Sequence, residues 1–303
     1  MKLFKKNPNR IDLCFEDKLL YTVTTILMVL LIIVVSYPII YVLSCSFSSG
    51  EAVSSGKVVL FPVEPSLTGY KLVFRYRQIW VGYGNTIFYT VVGTMLNVVI
   101  TTMVAYPLSR KNFQGRNIYM TFFLITMFFT GGIIPNYILR VKLHLVNTRF
   151  ALLLTGIIST YNMIVMRTFF QNSIPYELFE AARIDGITDI QYLFKVVIPL
   201  SKAIFAVITL YYAVGHWNAY FNAMLYLRER DLFPLQLILR DILNSGQMDL
   251  SQISDSQLLK DLQAAYDLMK YSLIVVSCVP ILIAYPFVQK YFEKGVLIGS
   301  VKG

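Results

Sequence analysis

Ionisable side chains crowd one stretch of the sequence that lies between two apolar runs. Glu177, Glu180, Arg183, Asp185, Asp189 and Lys195 fall within residues 174–200, bracketed by Pro175 and Pro199. A helical insert this polar cannot lie in hydrocarbon, so it must face water or a partner protein. Catalysis is the other chemistry to weigh, and the sequence offers no constellation for it. The two histidines, His144 and His216, have no nucleophile or ligand set nearby. The three cysteines, Cys14, Cys45 and Cys278, are scattered, with no disulfide framework and no metal spacing. No G-x-x-x-x-G-K-[ST] phosphate loop occurs, so the chain is not expected to hydrolyse ATP itself. No lysine or carboxylate sits deep in an apolar run, and Arg167 and Asp267 fall at expected ends. Ion-coupled transport or voltage sensing usually needs such buried charges, so their absence argues for an external energy source.

The elements that must carry these residues are membrane helices. The chain is 56% hydrophobic, with a mean hydropathy of +0.60, and its apolar residues come in runs near the 20 or so residues that span a bilayer. A β-barrel would show short alternating segments instead. The expected spans are about 19–44, 85–108, 118–135, 148–170, 201–227 and 267–291. The first apolar run, 19–47, is far longer than the roughly 7–15 residues of a signal-peptide core. The net charge of +10 fits basic loops that fix topology and meet anionic lipid, rather than nucleic acid. The arm 1–18 carries Lys2, Lys5, Lys6, Arg10 and Lys18, and the short loop after the second span carries Arg110, Lys111 and Arg116. Both point to the cytoplasm, which places residues 174–200 and both termini there. Gly131-Gly132 allows close backbone approach or a helix break. Residues 256–266 read as a helix leading straight into the last span.

Within 174–200, Pro175 can open a helix, Glu177 and Glu180 lie near its positive end, and Gly186 turns it. A second helix runs from Ile187 to Val197, and Pro199 sets the start of the next span. This helix–turn–helix is expected to expose Phe179, Ile184 and Tyr192 among its charges. On spacing alone, an ordinary solvated loop fits as well. The outer half of the fifth span is rich in aromatic and amide groups. Aromatic faces stack on sugar C–H faces and amides bond hydroxyls, so Tyr212, Trp217, Asn218 and Tyr220 are the candidate substrate path. An interfacial aromatic belt is the competing account. Asn85 and Asn97 are better read as bonds between helices.

Glu180-Ala181-Ala182-Arg183-Ile184-Asp185-Gly186, followed by Val196, Ile198 and Pro199, resembles the EAA loop of ABC-importer permeases. Val196 and Ile198 replace the usual isoleucine and leucine. Arg167-x-Phe169-Phe170, Pro199-Leu200-Ser201-Lys202, Gly215-x-Trp217-Asn218 and the end Gln289-Lys290-Tyr291-Phe292 with Lys294-Gly295 and Gly299-x-Val301-Lys302-Gly303 are similar to the carbohydrate branch, the MalG type, along nearly the whole chain. The resemblance implies an all-α polytopic membrane protein of about six transmembrane helices: a cytoplasmic arm 1–18, a permease domain 19–292 with the EAA loop at 174–200, and a cytoplasmic tail 293–303. It implies a multi-pass protein of the bacterial cell membrane that imports a sugar or oligosaccharide. Its partners would be a second homologous permease subunit, a cytoplasmic ATPase dimer that holds the ATP and magnesium, an extracytoplasmic solute-binding protein and membrane lipid. Glu180, Ala181, Ala182, Asp185 and Gly186 would form the ATPase-docking surface, and the tail would reach between the ATPases. No cofactor, metal or nucleic acid is expected for this chain. Import of a non-sugar solute is the nearer alternative. A membrane enzyme using Asp231, Asp241, Asp249 and Asp255 of the outer segment is the remote one.

Overall fold

In a computed structural model, the chain is described over residues 14–248 and 256–300. The basic arm's Lys2, Lys5, Lys6 and Arg10, the acidic Asp249 and Asp255, and the terminal Val301, Lys302 and Gly303 lie outside the described residues. The helices are α1 (Phe15–Ser46), α2 (Gly50–Ser54), α3 (Thr68–Arg75), α4 (Arg77–Ser109), α5 (Arg116–Phe128), α6 (Ile133–Lys142), α7 (Arg149–Leu153), α8 (Thr160–Ser173), α9 (Tyr176–Ile184) and α10 (Asp189–Tyr192). A π-helical turn, Leu193–Val197, joins α10 to α11 (Ile198–Leu200). Then come α12 (Lys202–Trp217), α13 (Phe221–Tyr226), a 3₁₀ turn (Arg230–Leu232), α14 (Leu235–Met248) and α15 (Ser256–Ser300). No strand occurs among the described residues.

Among the described residues, three helices are long and apolar enough to cross a bilayer: Phe15–Ser46, Arg77–Ser109 and the stretch Gln263–Ile283 of α15. Two bent pairs add to them. Arg116–Phe128 and Ile133–Lys142 meet at 111°, and Asp189–Leu200 and Lys202–Trp217 meet at 85°. The first bend falls at the expected Gly131-Gly132 break. The second follows Pro199, whose ring crowds the carbonyl of Lys195 in an α-helix and whose missing N–H leaves that carbonyl unpaired. The chain widens into the π turn at that place.

The expected span 148–170 differs in form. It is split into α7 and α8 by a turn at 154–159. The fourteen residues of α8 rise about 21 Å, short of the roughly 30 Å hydrocarbon core. Non-helical backbone at such depth is tolerated where its polar groups find partners, and here the Gly156 and Ile157 carbonyls accept from the Asn97 amide. The expected span 201–227 likewise breaks at residues 218–220, between α12 and α13. The expected tail differs as well, since α15 runs unbroken from Ser256 to Ser300. Gly295 and Gly299 cost a helix only about 1 kcal/mol each.

α4 is the axis of the fold. It packs chiefly on α12 and α8, and its first half also meets α14. Asn85, Thr86 and Tyr89 on one of its faces strap down the chain at 231–235. Asn85 Nδ2 donates to the Asp231 and Phe233 carbonyls, the Leu235 N–H donates to Thr86 Oγ1, and the Tyr89 hydroxyl donates to the Leu232 carbonyl. α1 is exposed along most of its length, with Ser36, Tyr41 and Val42 half-buried and Ser44, Cys45 and Ser46 buried. The largest core joins membrane helices to the EAA segment: Ala105, Tyr106 and Leu108 of α4, Met163, Met166 and Phe170 of α8, Phe179 and Ala182 of α9, Tyr192, Val197, and Ile204, Ile208 and Tyr212 of α12.

Candidate functional site

The charged segment folds as a tight hairpin held by local bonds. α9 ends in a Schellman motif. The Gly186 N–H donates to the Arg183 carbonyl and the Ile187 N–H to the Ala182 carbonyl. Gly186 has φ +74° with open space around it, so its glycine serves backbone conformation and not close packing. Two residues later Thr188 caps α10 by a reciprocal box with Gln191. The charges point outward: Glu180, Asp185 and Gly186 are exposed with Ala181, and Ile184 is 87% exposed. Ala182 faces the other way, into the core. The expectation that Phe179 and Tyr192 are exposed is corrected. Both are buried, their rings meeting edge to face at 5.4 Å. On α9, Phe179 and Ala182 are three residues apart and so share the face that seals the hairpin to α4 and α8.

Away from the hairpin, α4, α12 and the 154–159 turn enclose a cleft of about 170 Å³. Its walls include Tyr89, Asn97, Thr155, Tyr211, Tyr212, His216 and Asn222, and no carboxylate lines it. Asn97 spends both amide hydrogens on the Gly156 and Ile157 carbonyls, at 3.1 and 2.7 Å. Its Oδ1 therefore faces His216 Nε2 at 2.6 Å, which assigns the Nε2–H tautomer to that histidine. Gly93 makes the approach possible, because a Cβ there would stand 2.5 Å from His216 Nε2. The Tyr212 hydroxyl accepts from the Ser159 N–H at 3.0 Å and bonds Thr101 Oγ1 at 2.7 Å, tying α12 to α4 and to the cap of α8. The reading of Asn85 and Asn97 as bonds between elements matches these contacts.

Of the four residues proposed for a substrate path, only Tyr212 lines this cleft. Trp217 is 8% exposed, donates from Nε1 to the Ser277 carbonyl of α15 at 3.2 Å and meets Tyr83 edge to face. Asn218 is exposed and bonds its own helix at Val214. Tyr220 lies outside the lining, with Arg240 Cζ 5.8 Å from its ring. From sequence, Asn97 is only a weaker candidate for the path, and Thr155, His216 and Asn222 are not assigned to it. The signal that could have found two of them is helical spacing: Gly93 and Asn97, and Tyr212 and His216, are each four apart and share one face. The cleft offers amide, hydroxyl, imidazole and aromatic groups to a polyhydroxylated solute. Among the described residues no group of His, Cys, Asp and Glu could hold a metal ion.

No protein-family model matches the chain. Relatives do. The chain is 39% identical over 269 residues, 88% of its length and 92% of the relative's, to the polygalacturonan/rhamnogalacturonan transport system permease protein YtcP of Bacillus subtilis (strain 168). It is 29% identical over 272 residues, 88% of its length and 91% of the relative's, to an arabinooligosaccharides transport system permease protein of Halalkalibacterium halodurans. Among solved structures, a bacterial ABC transporter involved in the import of the acidic polysaccharide alginate superposes with a TM-score of 0.84 at 35% identity, covering 93% of this chain and all of that one.

Proposed function

This chain belongs to the carbohydrate-type permease subunits of ABC importers, and we propose that it forms half of a transmembrane path through which a saccharide enters the cell, driven by ATP hydrolysed on a separate subunit. The observation that carries this reading is the placement of two surfaces on one scaffold. The hairpin presents Glu180, Ala181, Ile184, Asp185 and Gly186 outward, while α4 runs from its base to the neutral, hydrogen-bonding cleft. The hairpin serves as the dock for a cytoplasmic ATPase pair, a second permease completes the path, and an extracytoplasmic binding protein delivers the solute. The basic loop supports the cytoplasmic side, since Arg110 and Lys111 lie against the hairpin's own rings. Both chain ends belong to that side, and the membrane is the bacterial cell membrane.

The substrate class we assign is uronate-bearing oligosaccharide. Two of the relatives above are named for polygalacturonan or alginate transport. Arg140 donates to Thr155 Oγ1, which lines the cleft, at 3.0 Å and to the Asn136 carbonyl, and farther along α4 Arg149 donates to Asn85 Oδ1 at 3.2 Å. These partners are neutral, so the guanidiniums keep charge available for a carboxylate. Deletion of the gene, followed by uptake of labelled oligogalacturonides and of labelled arabino-oligosaccharides, tests this. Loss of the first alone is expected. Loss of the second alone overturns the uronate assignment, and loss of neither overturns saccharide import.

A further inference from the structure

Arg110, the first residue past the end of α4, is the only cation whose guanidinium centre lies within about 6 Å of several hairpin rings among the described contacts. Its Cζ stands 3.6 Å from the centroid of Phe179, 5.2 Å from Tyr192, 5.8 Å from Tyr106 and 6.0 Å from Tyr176. Its side chain also interacts with the Tyr192 hydroxyl, and its Nη2 is buried. The acidic groups of the hairpin, Glu177, Glu180 and Asp185, face solvent instead. The charge is thus held by ring faces. An arginine over an aromatic face is attracted by the ring quadrupole, and more strongly where water is excluded.

The other ties between α4 and its surroundings do not do the same work. The Tyr106 hydroxyl donates to the Asp189 carbonyl at 3.1 Å, beyond the Gly186 turn, and Arg167 Nε donates to the Leu108 carbonyl from α8. Lys111 and Asn112 of the same loop reach only the ring and hydroxyl of Tyr176 at the start of α9, whereas Arg110 rests on Phe179 in its middle. On the other side, Ser109 is only about 12 Å along the helix axis from Thr101, which bonds Tyr212 at the cleft.

We propose that Arg110 is the positioning residue that fastens α9 to α4, so that a displacement of the docked hairpin carries α4, with Thr101 and Asn97 on it, as one body. The proposal rests on the reading of α9 as the ATPase dock. A flat cation between rings suits this purpose. It touches several rings of the hairpin at once, and it is less sensitive to salt than an exposed ion pair.

The test uses the assembled transporter in liposomes, on a background without native cysteines, with spin labels at Leu178 on α9 and Met103 on α4, both exposed. With Arg110 present, the Leu178–Met103 distance is expected to be the same before and after trapping with ATP and vanadate. In Arg110→Ala it is expected to broaden or split after trapping, while the ATPase still co-purifies and hydrolyses ATP. Arg110→Lys, which keeps charge without the planar stack, should fall between. Should the alanine variant fail to assemble, Arg110→Met, which keeps the length and removes the charge, is read in its place. An unchanged distance in Arg110→Ala or Arg110→Met, or a wild-type distance that shifts on trapping, overturns the proposal. Failure of the docking reading shows differently: Ile184→Arg would then leave ATPase co-purification intact, whatever residue stands at 110.

Discussion

The hairpin at 174–200 and the cleft between α4 and α12 both hold polar groups on a scaffold of membrane helices, and they do so by opposite means. The hairpin is assembled from neighbours. The Schellman bonds span Ala182 to Ile187, and the capping box spans Thr188 to Gln191. Its charges are left to water, and its seal to the rest of the protein is aromatic. The cleft is assembled from strangers. Asn97 meets Gly156 and His216 across 59 and 119 positions of chain, and Tyr212 meets Thr101 across 111. Asn97, Thr155, Tyr212 and His216 are each held there by another polar group, without a carboxylate among the lining residues. A hairpin held by its own neighbours can move as one rigid piece, whereas a cleft built from several helices changes shape when they move relative to one another.

The sharpest way to break this contrast is at the turn. Gly186→Pro demands a φ near −65° where the chain has +74° and deletes the N–H given to Arg183. The cost is about 3 kcal/mol or more, or roughly a hundredfold in docking. Loss of the ATPase on purification is expected, with Gly186→Asn close to wild type because asparagine tolerates this conformation. A proline variant that keeps its ATPase would show that the hairpin's form is not what the partner reads.

A smaller effect tests the cleft. Asn97→Leu strands two carbonyls and the His216 N–H, at about 1–3 kcal/mol for each group that finds no water. The melting temperature of the purified complex should fall while ATPase retention stays normal. If retention falls as well, the two regions are not the independent constructions described above. The smallest effect concerns Trp217→Phe. This change keeps the contact with Tyr83 and loses one hydrogen bond to Ser277, worth about 1 kcal/mol. Uptake should match wild type, with a slight loss of thermal stability. A large loss of uptake at unchanged stability would put Trp217 back in the solute's path.

Much of the fold was legible in the residues. The apolar runs, the helix from 256 into the last span and the turn at Gly186 are visible in the sequence, and Gly131-Gly132 marks either a close approach or the break that the structure has. The hairpin was legible because Pro175, Gly186 and Pro199 act on the backbone within a turn of themselves. What could not be read was facing. Phe179 and Tyr192 were placed outside because they sit among charges, and they are inside because Arg110 and α4 wait beneath them. Trp217 was placed on a substrate path because its chemistry suits sugars, yet α15 takes up its indole. His216 drew no role until Gly93 and Asn97 were seen across from it.

The sequence by itself determined where helices begin, end and bend, and which segment is too polar for hydrocarbon, because those outcomes rest on side-chain hydrophobicity and on backbone limits acting over a few residues. Only the tertiary structure decided which side of each helix became wall, seal or surface. That choice depends on the register at which α4 meets α12, α8 and the hairpin, and register is set by contacts between residues far apart in the chain.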